Sequence, residues 1–441
     1  MFKTLKNAWK IPELRSKLLF TMLIIVLYRL GANIPVPYVD SAVFEDASAI
    51  ASGTILYYLN ILSGEALGRA TLFALGVSPY ITSSIVIQLL TIAFPNSLGK
   101  WAKDENEGKK RLTMLTRFIT VGLALVTSIG YLFYLDASNF LVTELNWFIG
   151  IVIVSCYCAG AALVMWLAEK INEHGIGNGI SIILFANIIA GTFSIAQALW
   201  TSVFTQGGFS GFSGWGLLIA ILEIACLIGM IMLIVWMSDA ERRIPIQYAK
   251  RVVGRKMFGG QNTNLPLKVN MAGVMPIIFA NSIVAIPATV ASFMSSENWF
   301  TKFVNNWFNY NTWPYLIVFL GLLIAFAFFY VSISFNPVDV AKNIRDNGGA
   351  IPGIRSGRPT VEYIKKILNR ITLVGALIVA FIACFPMIVN IIDTMIQPGS
   401  TRFAALSFGG SSMIIVVGVA LETVRELEAQ MSLRNYKGFL D

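Results

Sequence analysis

The placement of lysine and arginine constrains this chain more than any other feature. Ten apolar stretches lie near 17–35, 70–94, 112–135, 147–168, 179–199, 214–237, 269–293, 314–335, 372–392 and 404–424. A helix that crosses the hydrocarbon core needs about 20 such residues. With the leading end in the cytosol, 28 of the 33 Lys and Arg residues fall in cytosolic segments. Arg117 sits near the cytosolic end of a span, and only Arg29, Arg69, Lys302 and Arg402 lie on the far side. Cytosolic enrichment of basic residues is the rule for multi-pass proteins. The pattern predicts a polytopic protein with both termini in the cytosol.

The composition excludes several other classes. The chain is 56% hydrophobic and 13% charged, with a mean hydropathy of +0.70, whereas soluble domains carry roughly 25% charged residues. The net charge of +9 invites a nucleic-acid reading. Divided by side, however, the charge is strongly positive inside and weakly negative outside, with Glu223 inside a span, and a nucleic-acid binder does not sort charge this way. Cys156, Cys158, Cys226 and Cys384 all lie in apolar spans. Cys156 and Cys158, two apart on a helix, point to nearly opposite sides, so the cysteines read as small buried hydrophobes. One histidine, His174, excludes a His-based metal site. Neither a Walker A motif nor a nucleophile–base constellation is visible, so neither enzymatic chemistry nor a cofactor is expected.

The leading segment 1–16 places Phe2, Leu5, Ala8 and Trp9 on one helical face with Lys3, Lys6 and Lys10 around it. That pattern reads as a basic interfacial helix, with a disordered tail as the other reading. The run that follows lacks a small-residue cleavage site and reads as a retained first span.

The connections are unequal. The cytosolic segments 95–111, 238–268 and 336–371 are basic, whereas 136–146, 200–213 and 295–313 carry few charges. The two longest also contain apolar anchors, Ile244, Ile246 and Tyr248 in one and Ile351, Ile354 and Tyr363 in the other. These predict ordered docking platforms rather than linkers. The outer connection 36–69 holds the apolar run 55–62 between Gly53 and Gly64. It is too short to span, so a re-entrant segment and an interfacial helix both stay open.

Ten spans divide as five plus five, and an odd number per half inverts the second half relative to the first. This expectation rests on span count alone. Gly175-Ile176-Gly177-Asn178-Gly179 has the wrong spacing for a dinucleotide site and reads as a tight turn feeding a helix N-terminus. Glu223 is a lone intramembrane carboxylate and weak evidence for a proton relay. The spans otherwise hold few polar groups, chiefly Gln88, Asn187, Asn281 and Ser/Thr. A secondary transporter of a small solute, the competing class, would gather polar groups near the midplane, whereas an apolar constriction can gate by excluding water.

Several stretches resemble one family. They are Ser78-Pro79-Tyr80-Ile81, the run from Glu173-His174-Gly175 through Ser181-Ile182, the run from Leu265-Pro266-Leu267 through Ala272-Gly273, and Pro352-Gly353-Ile354-Arg355. All are similar to SecY, the channel-forming subunit of the bacterial Sec translocase, and the resemblance covers essentially the whole chain. It implies an all-α membrane protein with ten transmembrane helices in two inverted five-helix halves around an hourglass pore. Unfolded preproteins would cross through the pore, and apolar segments would leave sideways into lipid. The implied units are an amphipathic segment 1–16, a first half 17–199, a second half 200–424 and a cytosolic tail 425–441.

The resemblance also implies site residues. The aliphatic pore ring would be Val77, Ile81, Ile180, Leu184, Ile278 and Ile415; the family mostly has Ile there, so Val77 and Leu184 depart slightly. A plug near 54–69 would use Ile55, Leu56, Tyr58, Leu59, Ile61, Leu62, Ser63 and Gly64. The lateral gate between spans two and seven would use Ser84, Gln88 and Asn270, with amides that merely pack helices as the plainer reading. Arg251, Arg255 and Arg355 would dock the ATPase SecA or the ribosome, whose RNA is a polyanion; solvated loop charges are the plainer reading. Ser356 departs from the Pro that many relatives carry. The implied partners are SecE, SecG, SecA, the ribosome, preprotein signal sequences and membrane lipid. The implied location is the bacterial cytoplasmic membrane.

Overall fold

A computed structural model describes the chain except for residues 1, 41–59, 61–62, 105–106, 138–139, 205–213, 249–250, 254–255, 259–261, 293–297, 308–311, 397–409 and 438–441. A short helix α1 (Phe2–Trp9) leads into α2 (Pro12–Gly31), whose Pro12 opens the first turn. Proline is preset for that position and forfeits an N–H that would be orphaned anyway. There follow α3 (Ser78–Ala93), α4 (Leu98–Lys103), α5 (Glu107–Ala137), α6 (Trp147–His174), α7 (Gly179–Phe204) and α8 (Gly214–Asp239). Strands β1 (Glu241–Tyr248), β2 (Arg251–Val253), β3 (Lys256–Phe258) and β4 (Asn262–Lys268) come next. The chain then forms α9 (Met275–Ser292), α10 (Trp299–Trp307), α11 (Trp313–Ser334), α12 (Pro337–Asp346), β5 (Gly349–Ala350), α13 (Arg358–Ile396) and α14 (Gly410–Lys437).

Each of the ten apolar stretches contains helix, though not over its whole length. Among the described residues, Glu107–Ala137, Trp147–His174, Ile221–Asp239, Trp313–Asp346 and Arg358–Ile392 are long and apolar enough to cross a membrane. Ser78–Ala93, Gly179–Gly191 and Met275–Pro287 are shorter apolar helices. Outward faces are greasy: Leu19, Met22, Leu23, Val26, Leu27 and Leu30 of α2 are exposed, while Ile24 and Tyr28 on its other face are buried. In a soluble protein that outward stripe would be polar. Here it suits lipid.

One large buried cluster joins α2, α3, α6, α7, α8, α9, α11, α13 and α14. Within the earlier part of the chain, α3 packs on α5, α5 on α6, and α6 on α2. In the later part, α9 packs on α11, α11 on α13, and α8 on α14. The two groups meet along two seams. At one, α7 packs against α8 and α14; at the other, α3 packs against α9. The first seam is bridged by the direct α7–α8 connection, whereas no direct chain connection joins α3 to α9.

One feature departs from the sequence reading. The helix of the second apolar stretch, α3, begins at Ser78 rather than near residue 70, because positive φ angles at Ala70 and Gly76 break any helical run before it. The two long basic segments are folded, as their apolar anchors predict. β1 is the centre of an antiparallel sheet ordered β4-β1-β5, with Ile244 opposite Leu265 and Gln247 opposite Ala350. Its alternation buries Ile244 and Ile246 and exposes Arg243, Pro245 and Gln247, the period-two pattern of a half-covered strand. Those isoleucines share a core with Ala341, Ile344, Ile351 and Ile364. The Asn336 side chain accepts a 3.1 Å hydrogen bond from the Val338 N–H and so caps α12. The predicted order of both platforms is therefore real, and Ile351 is an anchor; Tyr363 stays exposed. Both α13 and α14 run beyond the apolar stretches they contain, α13 starting at Arg358 and α14 continuing to Lys437.

Candidate functional site

All six residues expected at a waist gather in or against the same core. Val77, Ile81, Leu184, Ile278 and Ile415 are buried members of the large cluster, and half-buried Ile180 packs on it. Four elements supply them: the start of α3 with its N-cap Val77, then α7, α9 and α14. Branched aliphatic side chains of this kind offer no hydrogen-bonding group to a solute. They can only exclude water or fit around what displaces it.

The segment before α3 is held in place by hydrogen bonds from three helices, α2, α5 and α6. Residues Ile55, Leu56, Tyr58, Leu59, Ile61 and Leu62 lie outside the described residues. Ser63 is buried; its hydroxyl donates to the Asn60 carbonyl at 2.9 Å and accepts from the Leu67 N–H at 3.1 Å. The Asn60 side-chain oxygen accepts from the Gly68 N–H at 2.7 Å. Tyr131 of α5 donates to the Leu67 carbonyl at 2.6 Å, and Tyr157 of α6 to the Ala70 carbonyl at 3.4 Å. Arg29 of α2 reaches the Gly64 carbonyl at 3.3 Å and, on α7, the Ala186 carbonyl at 2.8 Å and the Asn187 carbonyl at 3.3 Å. Gly64 and Glu65 both have φ of +68°. A β-carbon on Gly64 would press on the Arg29 guanidinium and the Asn187 side chain. Irregular backbone at membrane depth is tolerated only when its polar groups are satisfied by protein or water, and this network does that. None of Tyr131, Tyr157 and Arg29 was foreseen in this role. The signal was available for Arg29 alone, as a basic residue on the wrong side.

Ser84 and Gln88 of α3, and Asn270 between β4 and α9, are all half-buried. No hydrogen bond joins Gln88 to Asn270 among the described residues; the Gln88 carbonyl instead accepts from Thr91. Asn270 lines a cavity of about 360 Å³ bounded by Ile234, Met271, Val274, Ile414 and Leu421, with Lys268, Glu422, Arg425 and Glu426 among its lining. This cavity opens at the end of the bundle that carries the basic platforms. Arg425 closes one side, bonding the Ser238 carbonyl at 2.7 Å and the Asp239 carboxylate at 2.5 Å.

Arg355 is exposed on a fixed loop. Gly353 and Gly357, at φ of +79° and +110°, turn the chain on either side of it. The hydroxyl of buried Thr360 donates to the Arg355 carbonyl at 2.9 Å. Arg251 lies in β2, opposite Phe258. Arg255 lies outside the described residues.

The Gly175–Gly179 stretch is the tight turn expected, between α6 and α7. The Gly179 N–H donates to the Asn172 side chain at 2.7 Å and the Ile180 N–H to the Asn178 side chain at 3.1 Å. Ile176 is buried with Ala8, Leu14 and Leu427, so this turn joins α1, α2 and α14 into a small second core. Glu223 lies buried within α8. Beside α3, Arg117 and Glu169 pair through two contacts, at 3.0 and 2.8 Å.

This is a polytopic membrane protein in which the six aliphatic residues expected at a waist lie in or against one large buried cluster, and its family follows from comparison with known proteins. The family model for SecY matches residues 71–424. The chain is 43% identical to the protein translocase subunit SecY of Streptomyces coelicolor over the full length of both. It is 39% identical to that of Corynebacterium glutamicum, covering 98% of this chain and 99% of the relative. The fold also matches a solved structure described as that of a protein conducting channel, with a TM-score of 0.64, 17% identity and 96% of each chain covered. A second match, to Sec61 in a canine ribosome–channel complex, has a TM-score of 0.60, 15% identity and 96% of each chain covered. The chain belongs to the SecY family.

Proposed function

We propose that this protein is the channel-forming subunit of a protein translocase. It would pass unfolded preproteins across a bacterial cytoplasmic membrane and release apolar segments sideways into lipid. The observation that carries this is the full-length match to translocase subunits. The packing supports it: a pore ring of Val77, Ile81, Ile180, Leu184, Ile278 and Ile415 would seal without binding, as a channel for varied side chains requires. The chain is a conduit and has no reaction to catalyse. The solute-transporter reading gains no support from a buried aliphatic core.

In this reading the bundle forms two inverted halves around an hourglass pore. The α3–α9 seam, which no direct connection bridges, is the lateral gate, with Ser84, Gln88 and Asn270 on it. Segment 54–69 is the plug. Both termini and the β1–β5 and α12 platforms face the cytosol, where the 28 basic residues concentrate. Arg251, Arg255 and Arg355 are docking residues for SecA or the ribosome, and SecE and SecG are the accompanying subunits. Ribosome docking has support from a structural neighbour that is itself ribosome-bound.

Reconstitution tests this reading. The purified complex in liposomes should move a preprotein when SecA and ATP are added, and not otherwise. Accumulation of a small solute against a gradient, with no preprotein transport, would overturn it.

A further inference from the structure

We infer that Arg29 is a positioning residue that latches the base of the plug to α7 and so sets how readily the resting channel opens. The inference rests on the plug reading above. Arg29 is one of only four cations on the outer side, near the far end of α2, where an unpaired charge facing lipid is costly. It is half-buried instead, and its guanidinium is divided between two elements. One Nη donates to the Gly64 carbonyl, and the other donates to the carbonyls of Ala186 and Asn187. Bonds from an ionised donor are roughly twice as strong as neutral ones. A planar guanidinium with five donors can hold acceptors on two elements at once, which a lysine ammonium does less well.

The surroundings tune the site to this side chain. The Gly64 turn occupies a left-handed conformation, with room for the guanidinium only because no β-carbon is present. Asn187, whose carbonyl is one acceptor, also sends its side-chain amide to the Tyr28 hydroxyl at 2.9 Å, next to Arg29 in sequence. Downstream, Tyr131 and Tyr157 fix Leu67 and Ala70 to α5 and α6. Those two anchors follow the turn at Gly64. Arg29 therefore grips the plug segment at Gly64, on the far side of both tyrosine anchors from α3, and a plug that leaves its seat must pull on this contact. The same cation ties that contact to α7, the helix that contributes Ile180 and Leu184 to the core. Loss of the latch would thus free the plug base and slacken the waist together.

Chloride efflux from liposomes holding the full complex, without SecA, reads the resting leak. Three variants are compared: Arg29→Gln, removal of residues 54–59, and the two combined. The expected result is a several-fold rise for Arg29→Gln, approaching that of the deletion, with no further rise in the combination. Arg29→Lys should fall between wild type and Arg29→Gln. If the deletion leaks and Arg29→Gln does not, the latch is wrong and the plug reading stands. If the Arg29→Gln rise is undiminished in the deletion background, Arg29 acts elsewhere and the latch is equally wrong. If the deletion itself does not leak, the plug reading fails. Should Arg29→Gln not assemble, Gly64→Ala tests the same contact, and a resting leak equal to wild type in that variant would overturn the latch.

Discussion

The Tyr131 hydroxyl donates a 2.6 Å hydrogen bond to the Leu67 carbonyl, 64 residues away in sequence. Tyr131 is buried and packs edge-on against Tyr157 at 5.2 Å. The pair forms a wall on which the segment before α3 rests, so what reads as an irregular outer connection is tied to the third and fourth apolar helices.

Tyr131→Phe should keep the wall and remove the bond. The Leu67 carbonyl also accepts from the Ala70 N–H at 3.1 Å, so it would not be orphaned. The expected loss is about 1 kcal/mol, the net worth of an ordinary hydrogen bond. Thermal unfolding in detergent should show a small drop in midpoint, and resting ion leak should rise. An unchanged midpoint would show that this bond carries no net stability.

Ile278→Asn tests the waist. Ile278 is 5% exposed within the large cluster, and a buried amide without partners costs about 1–3 kcal/mol. A polar constriction also wets more readily than an apolar one. Single-channel conductance of the resting channel should increase, and preproteins with defective signal sequences should be accepted more readily. Unaltered conductance at normal protein levels would remove Ile278 from the pore.

Arg355→Glu should weaken docking without disturbing the bundle. The side chain is exposed, and the loop is held by backbone contacts that the substitution leaves intact. A reversed charge repels an acidic surface or RNA phosphate. Affinity for SecA or ribosomes should fall at least several-fold at low salt, with unchanged thermal stability. Normal binding of both would leave the docking role to Arg251 and Arg255.

Arg117→Ala should be harmful where Arg117→Leu combined with Glu169→Leu is much less so. Glu169 is 8% exposed and pairs with Arg117 in a two-contact fork. Removing the cation leaves a buried acceptor unmet, at about 1–3 kcal/mol or more, whereas removing both charges avoids that penalty. Thermal midpoints of the single and double variants form the comparison. Equal losses would mean the two residues act independently.

Thiol labelling from outside intact cells checks the orientation. A cysteine introduced at Lys256, in β3, should stay unlabelled by an impermeant reagent, and one at Lys302, in α10, should react. Labelling at 256 would reverse the assigned sides.

The sequence by itself determined the membrane class, the predominantly helical fold and the sidedness expected for the basic segments. Each follows from local physics: about 20 apolar residues make a span, and charge bias orients them. The proposed pore ring rests on family resemblance, because nothing local distinguishes Ile278 from its apolar neighbours in α9. Tertiary structure alone decided three matters. It showed β1 as the centre of a sheet, hidden in sequence by Arg242, Arg243 and a Pro245 unusual for a central strand, because the covering residues Ile351 and Ile364 lie about a hundred positions later. It showed that α3 meets α9 with no direct chain connection between them. And it turned Arg29 from an exception to the charge rule into a bridge between Gly64 and α7. A carbonyl acceptor has no side-chain identity to read from sequence, so only folding reveals which ones a guanidinium will meet.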